Sequence, residues 1–461
     1  MATKTICNKA RLAAVLAAMS VLSAFGGPLD KAWLKGVTDK DPVSYAIGEE
    51  ITFTVTPQNI EGTLPDGEYF LDWKRSDDFG FVETGKVPLT DKPLVYKGKL
   101  DKPGFVRFEV YVVDRKGVKY RKKFVGDATT PEGRKAMNEF ERQRKNVFFD
   151  GGAGVAIDTL AAAQEPKDFD DFWAKQFKRL DLVPMKADRI EIKSDTPGVR
   201  IYAVRIDCAG LRPVTGYLTV PKNVEKGKKY PCRLTTHGYN GTRCTHPTRN
   251  TGASNEIVLN INAHGLKLAE FGATDADTKA LRWEIGSNGK SYAFDAAQNK
   301  DPEVAYFNGM VLRVKRALQF LKTVEGWDGK ELIASGGSQG GLQTIWAAGC
   351  GEGVTRAESS ITWCCDMPNN NLRIERKISS DGWYIPWTES MGYYDAVNFA
   401  KRIPATCRTV ITRAGLGDYC CPPMGLAKLF NSIPGKKKIY WVQGSQHGYV
   451  PPAYEGRDFV R

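Results

Sequence analysis

One serine is set among glycines in a way that indicates nucleophilic chemistry. Ser338 lies within residues 336–341, which read G-G-S-Q-G-G and contain the pattern G-x-S-x-G. The apolar run 332–334 before it is typical of a buried strand, and residues 342–348 after it are typical of a helix. A sharp turn between such a strand and helix leaves room only for small neighbours and directs the helix N-terminus at the hydroxyl. The pattern predicts a nucleophile elbow with Ser338 as the nucleophile.

A serine hydroxyl is a poor nucleophile at neutral pH and needs a general base, usually a histidine. Where a strand–turn–helix elbow carries the serine, the chain order is nucleophile, acid, histidine. The chain has four histidines, and only His447 follows Ser338. It comes in the loop directly after the strand-like run 438–442. We therefore predict that His447 is the base.

An acid must orient that histidine, and Asp418 is the best placed carboxylate. It lies in a glycine-rich loop after the strand-like run 408–412, and the residues between it and the histidine accommodate one helix and one strand. Three other aspartates lie between the serine and the histidine, and none of them follows so clear a strand: Asp366, Asp381 and Asp395. Asp418 is the predicted acid, with these three as alternatives.

Acyl transfer also needs two hydrogen-bond donors for the negative oxygen that develops in the transition state. One predicted donor is the backbone N–H of Gln339, directly after the nucleophile. The other is the N–H of Tyr239, in the loop after the strand-like run 232–236. His237 in the same loop is expected to hold that loop through hydrogen bonds rather than to act in catalysis.

The elements that must position these residues alternate between strand and helix. From about residue 187, β-branched runs alternate with helical ones, which predicts a mostly parallel, doubly wound sheet covered on both faces. Residues 166–461 are therefore predicted to form an α/β-hydrolase catalytic domain. It opens with an amphipathic helix over 166–180.

The part of the chain before this domain has a different texture. Residues 27–126 contain β-branched and aromatic runs separated by Gly- and Pro-rich turns, which predicts an all-β, immunoglobulin-like sandwich. Residues 127–165 are predicted to be a connection, with a helix over 131–146 that Thr130 caps. The glycine-rich stretch 150–154 is predicted to be a linker.

The first residues resemble a secretory signal peptide. Lys4, Lys9 and Arg11 precede the apolar run 12–25, and small residues follow it. We expect residues 1–26 to direct the protein out of the cytoplasm, so that it is secreted or periplasmic. No second apolar run is long enough for a bilayer, so no integral membrane segment is expected.

Composition excludes several other classes of protein. The chain has 461 residues, 42% of them hydrophobic and 26% charged, which is ordinary globular composition. Its net charge is +13, but no zinc-finger spacing, basic helix or aromatic RNA-binding pattern accompanies that charge, so no nucleic-acid partner is expected. No cluster of metal ligands stands out, so neither a metal nor a cofactor is expected.

The ten cysteines include Cys7 in the leader; among the other nine we expect one or two disulfides and several buried thiols.

Four stretches together resemble the acetylxylan esterase and cephalosporin C deacetylase family, carbohydrate esterase family 7. They are H-G-Y-N-G at 237–241, the elbow, Y-Y-D-A-V-N-F-A at 393–400, and G-L-G-D at 415–418 followed by two prolines. The resemblance covers residues 166–461. It implies a serine esterase that removes small acyl groups, mainly acetyl, from sugars such as xylan or xylo-oligosaccharides, and it gives Ser338, Asp418, His447, Tyr239 and Gln339 the roles predicted above.

Two departures from that family bear on substrate range and on the homo-oligomer that some members form. Residues 262–266 read N-A-H-G-L where the family has Arg-Gly-Gln, and Gly448 follows His447 where the family has glutamate. Trp387, between the elbow and the acid, either stacks on a pyranose ring or packs in the interior. Two other functions remain open at this point: a serine exopeptidase on the same fold, and a carbohydrate-binding protein with an inactive hydrolase domain.

Overall fold

The computed structural model describes residues 26–239, 246–249, 254–370, 385–452 and 459–461. Residues 1–25 of the expected signal peptide lie outside these ranges, as do Asn240 and Gly241 of the H-G-Y-N-G stretch. The strands are β1 Trp33–Thr38, β2 Ile51–Gln58, β3 Tyr69–Asp77, β4 Val82–Pro88, β5 Leu94–Gly98, β6 Gly104–Asp114, β7 Phe148–Val155, β8 Ala187–Ile192, β9 Val199–Ile206, β10 Val214–Pro221, β11 Tyr230–Thr236, β12 Ile257–Ile261, β13 Trp327–Gly337, β14 Arg356–Ser360, β15 Arg408–Gly415, β16 Lys437–Val442 and β17 Phe459–Val460. The α-helices are α1 Pro131–Arg142, α2 Phe169–Asp181, α3 Asp275–Glu284, α4 Tyr306–Leu321, α5 Gln339–Gly349, α6 Met367–Asn370, α7 Ala396–Ala400 and α8 Pro423–Ser432.

Strands β1–β7 form two sheets, here called the sandwich. One sheet has the order β1-β2-β5 and the other β4-β3-β6-β7. Alternate residues of β2, namely Ile51, Phe53 and Val55, are buried, as expected for a strand with one face on a core. Phe53 packs on Phe108 of the other sheet with ring centroids 5.1 Å apart. The predicted all-β unit is present.

The glycine-rich stretch 150–154 is not a linker. It lies in β7, which pairs antiparallel with β6 and is buried along its whole length. A Cβ on Gly152 would lie 2.6 Å from the carbonyl oxygen of Val106 and 2.9 Å from that of Leu416. The glycines are needed because two other backbones approach this strand. Since β7 pairs with β6, the sandwich continues beyond the boundary predicted at residue 126.

The remaining strands form one ten-stranded sheet, the main sheet, in the order β17-β16-β15-β14-β13-β11-β12-β10-β9-β8. Strands β11 to β16 run parallel, whereas β8, β9, β10 and β17 pair antiparallel with their neighbours. Helices α4, α5 and α8 pack against it. Central residues such as Leu234 and Ile333 are fully buried, as in a parallel sheet covered by helices. The fold is an α/β-hydrolase preceded by a sandwich.

Helix α1 starts as predicted and ends earlier than predicted. Thr130 accepts a hydrogen bond of 3.0 Å from the N–H of Gly133, which is the expected N-cap. The helix ends at Arg142 rather than at residue 146, because Lys145 and Asn146 pair with residues 122 and 121 beside the sandwich. Helix α2 buries Phe169, Phe172 and Trp173 on one face, as its periodicity predicted.

The eight cysteines in the described ranges are free thiols, seven of them buried. The expected disulfides are therefore not found among them. A buried thiol behaves as a small apolar side chain, and a chain of this length has a core large enough to do without cross-links. Among the described residues, no helix is long and apolar enough to cross a bilayer.

Candidate active site

The predicted elbow is present at the end of β13. Ser338 joins β13 to α5 with φ 57° and ψ −119°, a backbone conformation that few residues other than glycine adopt. A Cβ on Gly340 would lie 2.6 Å from the carbonyl oxygen of Thr236, and a Cβ on Gly336 would lie 2.4 Å from the hydroxyl oxygen of Thr236. Small residues therefore flank the serine for the steric reason that the motif predicted.

The three predicted catalytic side chains lie in one chain of hydrogen bonds. Oγ of Ser338 is 3.1 Å from Nε2 of His447, and Nδ1 of His447 is 2.9 Å from Oδ2 of Asp418. Asp418 is fully buried, and its Oδ1 accepts hydrogen bonds from the backbone N–H groups of Cys420 at 2.9 Å and Cys421 at 3.0 Å. The acid is fixed by its own loop, so that one oxygen is left to hold the imidazole.

The alternative aspartates have other contacts. Asp366 forms an ion pair of 2.5 Å with Lys428, and Asp395 accepts hydrogen bonds from backbone N–H groups around α6 and α7. Burial raises the pKa of Asp395 to about 7. Asp381 lies outside the described residues. Asp418 is thus the carboxylate that the fold brings to the imidazole.

The surroundings of His447 favour its charged form. Burial disfavours the imidazolium, but hydrogen bonds to Asp418 and to the Cys420 thiol outweigh burial and raise the pKa of His447. The pKa of Cys420 is lowered, chiefly by its hydrogen bond with the Cys421 thiol and further by His447. The site can therefore stabilise a proton on His447, which is what a base that accepts the serine proton requires.

The two predicted oxyanion donors lie on the two segments beside Ser338. Gln339 is the first residue of α5, where a backbone N–H has no partner within the helix. Tyr239 follows β11 and lines the same cavity as Ser338. Its loop runs so close to the elbow that a Cβ on Gly238 would be 3.5 Å from the carbonyl oxygen of Gly337. This position suits an amide that must point at the reacting carbonyl.

His237 holds that loop, as predicted. Its Nε2 accepts a hydrogen bond of 3.0 Å from the N–H of Ala263, and its Nδ1 is 2.8 Å from the carbonyl oxygen of Gly238. Because Nε2 accepts, Nδ1 carries the proton and donates it to Gly238. Burial lowers the pKa of His237, which keeps it neutral in this role.

The sandwich forms one wall of the catalytic cavity, which the sequence did not predict. The cavity has a volume of about 630 Å³, and its lining includes the three predicted catalytic side chains together with Tyr239 and Trp363. The first part of the chain contributes five further lining residues: Arg107, Glu109, Tyr111, Lys119 and Arg144. The cavity that contains Ser338 is therefore lined by both parts of the protein.

A buried ion pair ties the sandwich to the catalytic loops. Asp150 on β7 accepts a hydrogen bond of 2.7 Å from Nε of Arg107 and one of 2.7 Å from the side-chain amide of Gln446. Arg107 also lies over the ring of Tyr419, 4.2 Å from its centroid. Gln446 precedes His447, the predicted base, and Tyr419 follows Asp418, the predicted acid. The sandwich thus supports both catalytic loops.

The same strand contacts the catalytic loops through its backbone. The side-chain amide of Gln443 pairs with both backbone groups of Gly152, at 2.9 Å each. A Cβ on Gly417 would lie 2.1 Å from the carbonyl oxygen of Asp150. The signal that could have shown this contact is the glycine run itself, because glycine within a strand often marks the close approach of another backbone.

Trp387 lies apart from the catalytic cavity. It packs half-buried against the main core and, beside Gly392, lines a pocket of about 10 Å³ that also contains Asp366 and Asp395. Of the two roles expected from the sequence, the structure shows interior packing. Stacking of Trp387 on a pyranose ring stays a prediction.

The expectation of no metal-ligand cluster also needs correction. Among the described residues, Cys420, Cys421 and His447 have ligand atoms within 4.8 Å of one another. The sequence did not reveal this group because the histidine comes from the loop after β16 and the thiols from the loop after β15. The fold brings together donors that are distant in the chain.

Comparisons with known proteins agree with the motifs. The acetyl xylan esterase family model (AXE1) matches residues 158–374, which include Tyr239, Ser338 and Gln339. The curated acetyl esterase Axe7A of Xylanibacter ruminicola is 28% identical over 299 residues, 62% of this chain and 64% of that protein. The chain thus matches less than two thirds of that relative's length. The resemblance stated from the motifs is confirmed.

Two solved structures share the fold. The acetyl xylan esterase from Paenibacillus sp. R4 aligns with a TM-score of 0.52 and 22% identity, covering 65% of this chain and 95% of that one. Acetyl xylan esterase 1 from Thermoanaerobacterium sp. JW/SL YS485 aligns with a TM-score of 0.51 and 17% identity, covering 65% and 94%. These alignments confirm the predicted α/β-hydrolase fold.

Proposed function

We propose that this protein is a secreted serine esterase that removes acetyl groups from acetylated carbohydrates, with xylan or xylo-oligosaccharides as substrates. The hydrogen-bond chain from Ser338 through His447 to Asp418, at the base of a cavity, is the observation that carries the proposal. The family match and the acetyl esterase relative support the choice of acetyl esters over other substrates. The basic and apolar pattern of residues 1–26 supports export.

In the first half of the reaction, Oγ of Ser338 attacks the acetyl carbonyl carbon while Nε2 of His447 takes the hydroxyl proton. Asp418 keeps the imidazole in the tautomer that accepts at Nε2, and it stabilises the imidazolium. The N–H groups of Tyr239 and Gln339 donate to the oxyanion. When this intermediate collapses, the bond to the sugar oxygen breaks and His447 protonates that oxygen.

In the second half, the acetyl group is bonded to Ser338 and the sugar has left. A water molecule attacks the ester carbon and gives its proton to His447, through a second oxyanion held by the same amides. Collapse breaks the bond to Oγ, which regains a proton from His447, and acetate departs. These steps use the side chains of Ser338, His447 and Asp418, two backbone N–H groups and one water molecule.

The lining of the cavity suggests which side takes which part of the substrate. Tyr239 and Trp363 pack edge to face beside the serine, with ring centroids 5.3 Å apart, and they restrict the space for the acyl group. Tyr111 and Lys119 of the first part of the chain line the same cavity. We infer that the sandwich wall contacts the glycan.

A covalent probe tests this function directly. A fluorophosphonate should label the full-length protein at Ser338 and should not label Ser338→Ala. The unaltered chain should release acetate from acetylated xylan, and Ser338→Ala should not. Ser44→Ala, which removes an exposed hydroxyl from the sandwich, is the matched control and should be labelled normally. Absence of labelling in the unaltered chain would favour the inactive carbohydrate-binding protein. Faster cleavage of N-terminal peptide amides than of acetyl esters would favour the exopeptidase.

A further inference from the structure

Two thiols lie beside the proposed base and take no part in the proposed chemistry. Cys420 and Cys421 hold Asp418 through their backbone N–H groups. The Cys420 thiol contacts His447 and the Cys421 thiol, and the Cys421 thiol also donates a hydrogen bond of 3.2 Å to the carbonyl oxygen of Ile361. One ligand atom from each of the three residues lies within 4.8 Å of the others. Cys420 also lines the catalytic cavity, so this group of three is reached from solvent through the substrate entrance.

Two thiols and one imidazole are the donors that thiophilic cations such as Zn²⁺ prefer, whereas Mg²⁺ and Ca²⁺ prefer oxygen. Ligand atoms around one tetrahedral zinc ion lie about 3.5–3.8 Å apart, given bond lengths of about 2.0–2.3 Å. Starting from separations within 4.8 Å, the three atoms would have to approach one another by at most about 1.3 Å. Three protein ligands with a fourth exchangeable one are a common arrangement in zinc sites.

We propose that Cys420, Cys421 and His447 form an inhibitory site for a thiophilic divalent cation, with Zn²⁺ as the representative ion. On binding, both thiols release their protons to water, and the Cys421 thiol gives up its hydrogen bond to Ile361. Two sulfur lone pairs and one imidazole lone pair then form the bonds to the ion, without electron transfer. The inhibition rests on the proposed function. A His447 nitrogen bonded to the ion gives up its contact with Ser338 or with Asp418, and in either case the serine loses its oriented base.

Two titrations of the full-length protein test this proposal. In the first, Co²⁺ replaces Zn²⁺ as a probe, and we expect a cobalt–thiolate absorption band that saturates at one ion per chain. In the second, Zn²⁺ should inhibit hydrolysis of 4-nitrophenyl acetate, a chelator should restore the rate, and Mg²⁺ should have no effect. Each rate is divided by the rate of the same variant in chelator, so that changes in basal activity do not enter the comparison.

Variants locate the site. Cys420→Ser should raise the Zn²⁺ concentration for half-inhibition at least about 10-fold. Replacing a residue that only hydrogen-bonds to a metal ligand already lowers metal affinity by about 10-fold or more, so the loss of a ligand itself should cost at least as much. Cys208→Ser, which alters a thiol packed between α2 and α4, is the matched control and should leave zinc inhibition unchanged. Equal zinc sensitivity of the unaltered chain and Cys420→Ser would overturn the proposal.

A third measurement needs no variant of the thiols. Zn²⁺ should slow alkylation of Cys420 by iodoacetamide in the unaltered chain, measured by mass spectrometry, and unchanged alkylation would also overturn the proposal.

The cobalt band should persist in Ser338→Ala, which removes the proposed nucleophile and leaves the three ligands. If the unaltered chain shows the cobalt band but has no esterase activity, the metal site stands and the proposed function is wrong. If it has esterase activity but shows no band, the proposed function stands and the metal site is wrong.

Discussion

Asp150 of the sandwich accepts a hydrogen bond of 2.7 Å from Gln446, the residue before the proposed catalytic base. The two residues are 296 positions apart in the chain. Asp150 is fully buried and is also bonded to Arg107. The sandwich therefore contacts the loop that carries His447, the proposed base, and we expect this contact to hold that loop in position.

Removing the amide of Gln446 should impair catalysis more than substrate binding. In Gln446→Ala we expect kcat to fall about 10-fold or more, since a small misplacement of a catalytic group costs up to about 100-fold in rate. KM should change little. Gln143→Ala, at an exposed position after α1, is the control. Steady-state kinetics on 4-nitrophenyl acetate measure both constants, and an unchanged kcat would contradict a positioning role for this contact.

The charge of Asp150 should matter for stability. Asp150→Asn leaves the buried guanidinium of Arg107 without its main carboxylate, and breaking such a pair typically costs about 3–5 kcal/mol. We expect the free energy of unfolding in urea to fall by about that amount. Asp158→Asn, an exposed position a few residues later, should unfold like the unaltered chain. A loss below about 1 kcal/mol would mean that Glu109, which also contacts Arg107, is enough to hold the charge.

The acid of the proposed triad can be identified by rate. Asp418→Asn keeps the shape of the side chain but favours the wrong imidazole tautomer, which costs on the order of 10⁴-fold in kcat in a triad of this type. The same exposed control, Asp158→Asn, should be fully active. A loss below tenfold in Asp418→Asn would show that another carboxylate orients the histidine.

The pH dependence of the reaction should reflect the raised pKa of His447. The base must be neutral, so kcat/KM should fall as pH decreases through a pKa above the ordinary histidine value of about 6.5. Cys420→Ser removes one of the contacts that raise this pKa, and the acidic limb should then move to lower pH. A profile of kcat/KM against pH measures both. An acidic limb below about 6.5 that does not move in the variant would contradict this view of the site.

The aromatic residues beside the serine should restrict the acyl group. We expect kcat/KM for 4-nitrophenyl esters to fall steeply from acetate through butyrate to octanoate, because a longer chain meets Tyr239 and Trp363. A chain-length series on the unaltered protein is sufficient for this test. A flat profile would indicate an open, lipase-like acyl pocket.

The sequence by itself determined the nucleophile elbow, the order of the catalytic residues and the fold class of the catalytic part. Local patterns carry this information, since a G-x-S-x-G turn has a steric requirement and the carboxyl ends of parallel strands meet at one edge of a sheet. Ser338, Asp418 and His447 each follow a recognisable strand. They converge because each follows a parallel strand, and the carboxyl ends of these strands lie at the same edge of the sheet.

Only the tertiary structure decided what surrounds those residues. The stretch 150–154 has the composition of a linker, and its place in β7 follows from the backbones packed against Gly152 and Gly417. Likewise, nothing near Cys420 in the chain indicates that its thiol meets His447. These contacts arise where separate surfaces dock, and their geometry depends on the shapes of both partners, which no local periodicity encodes.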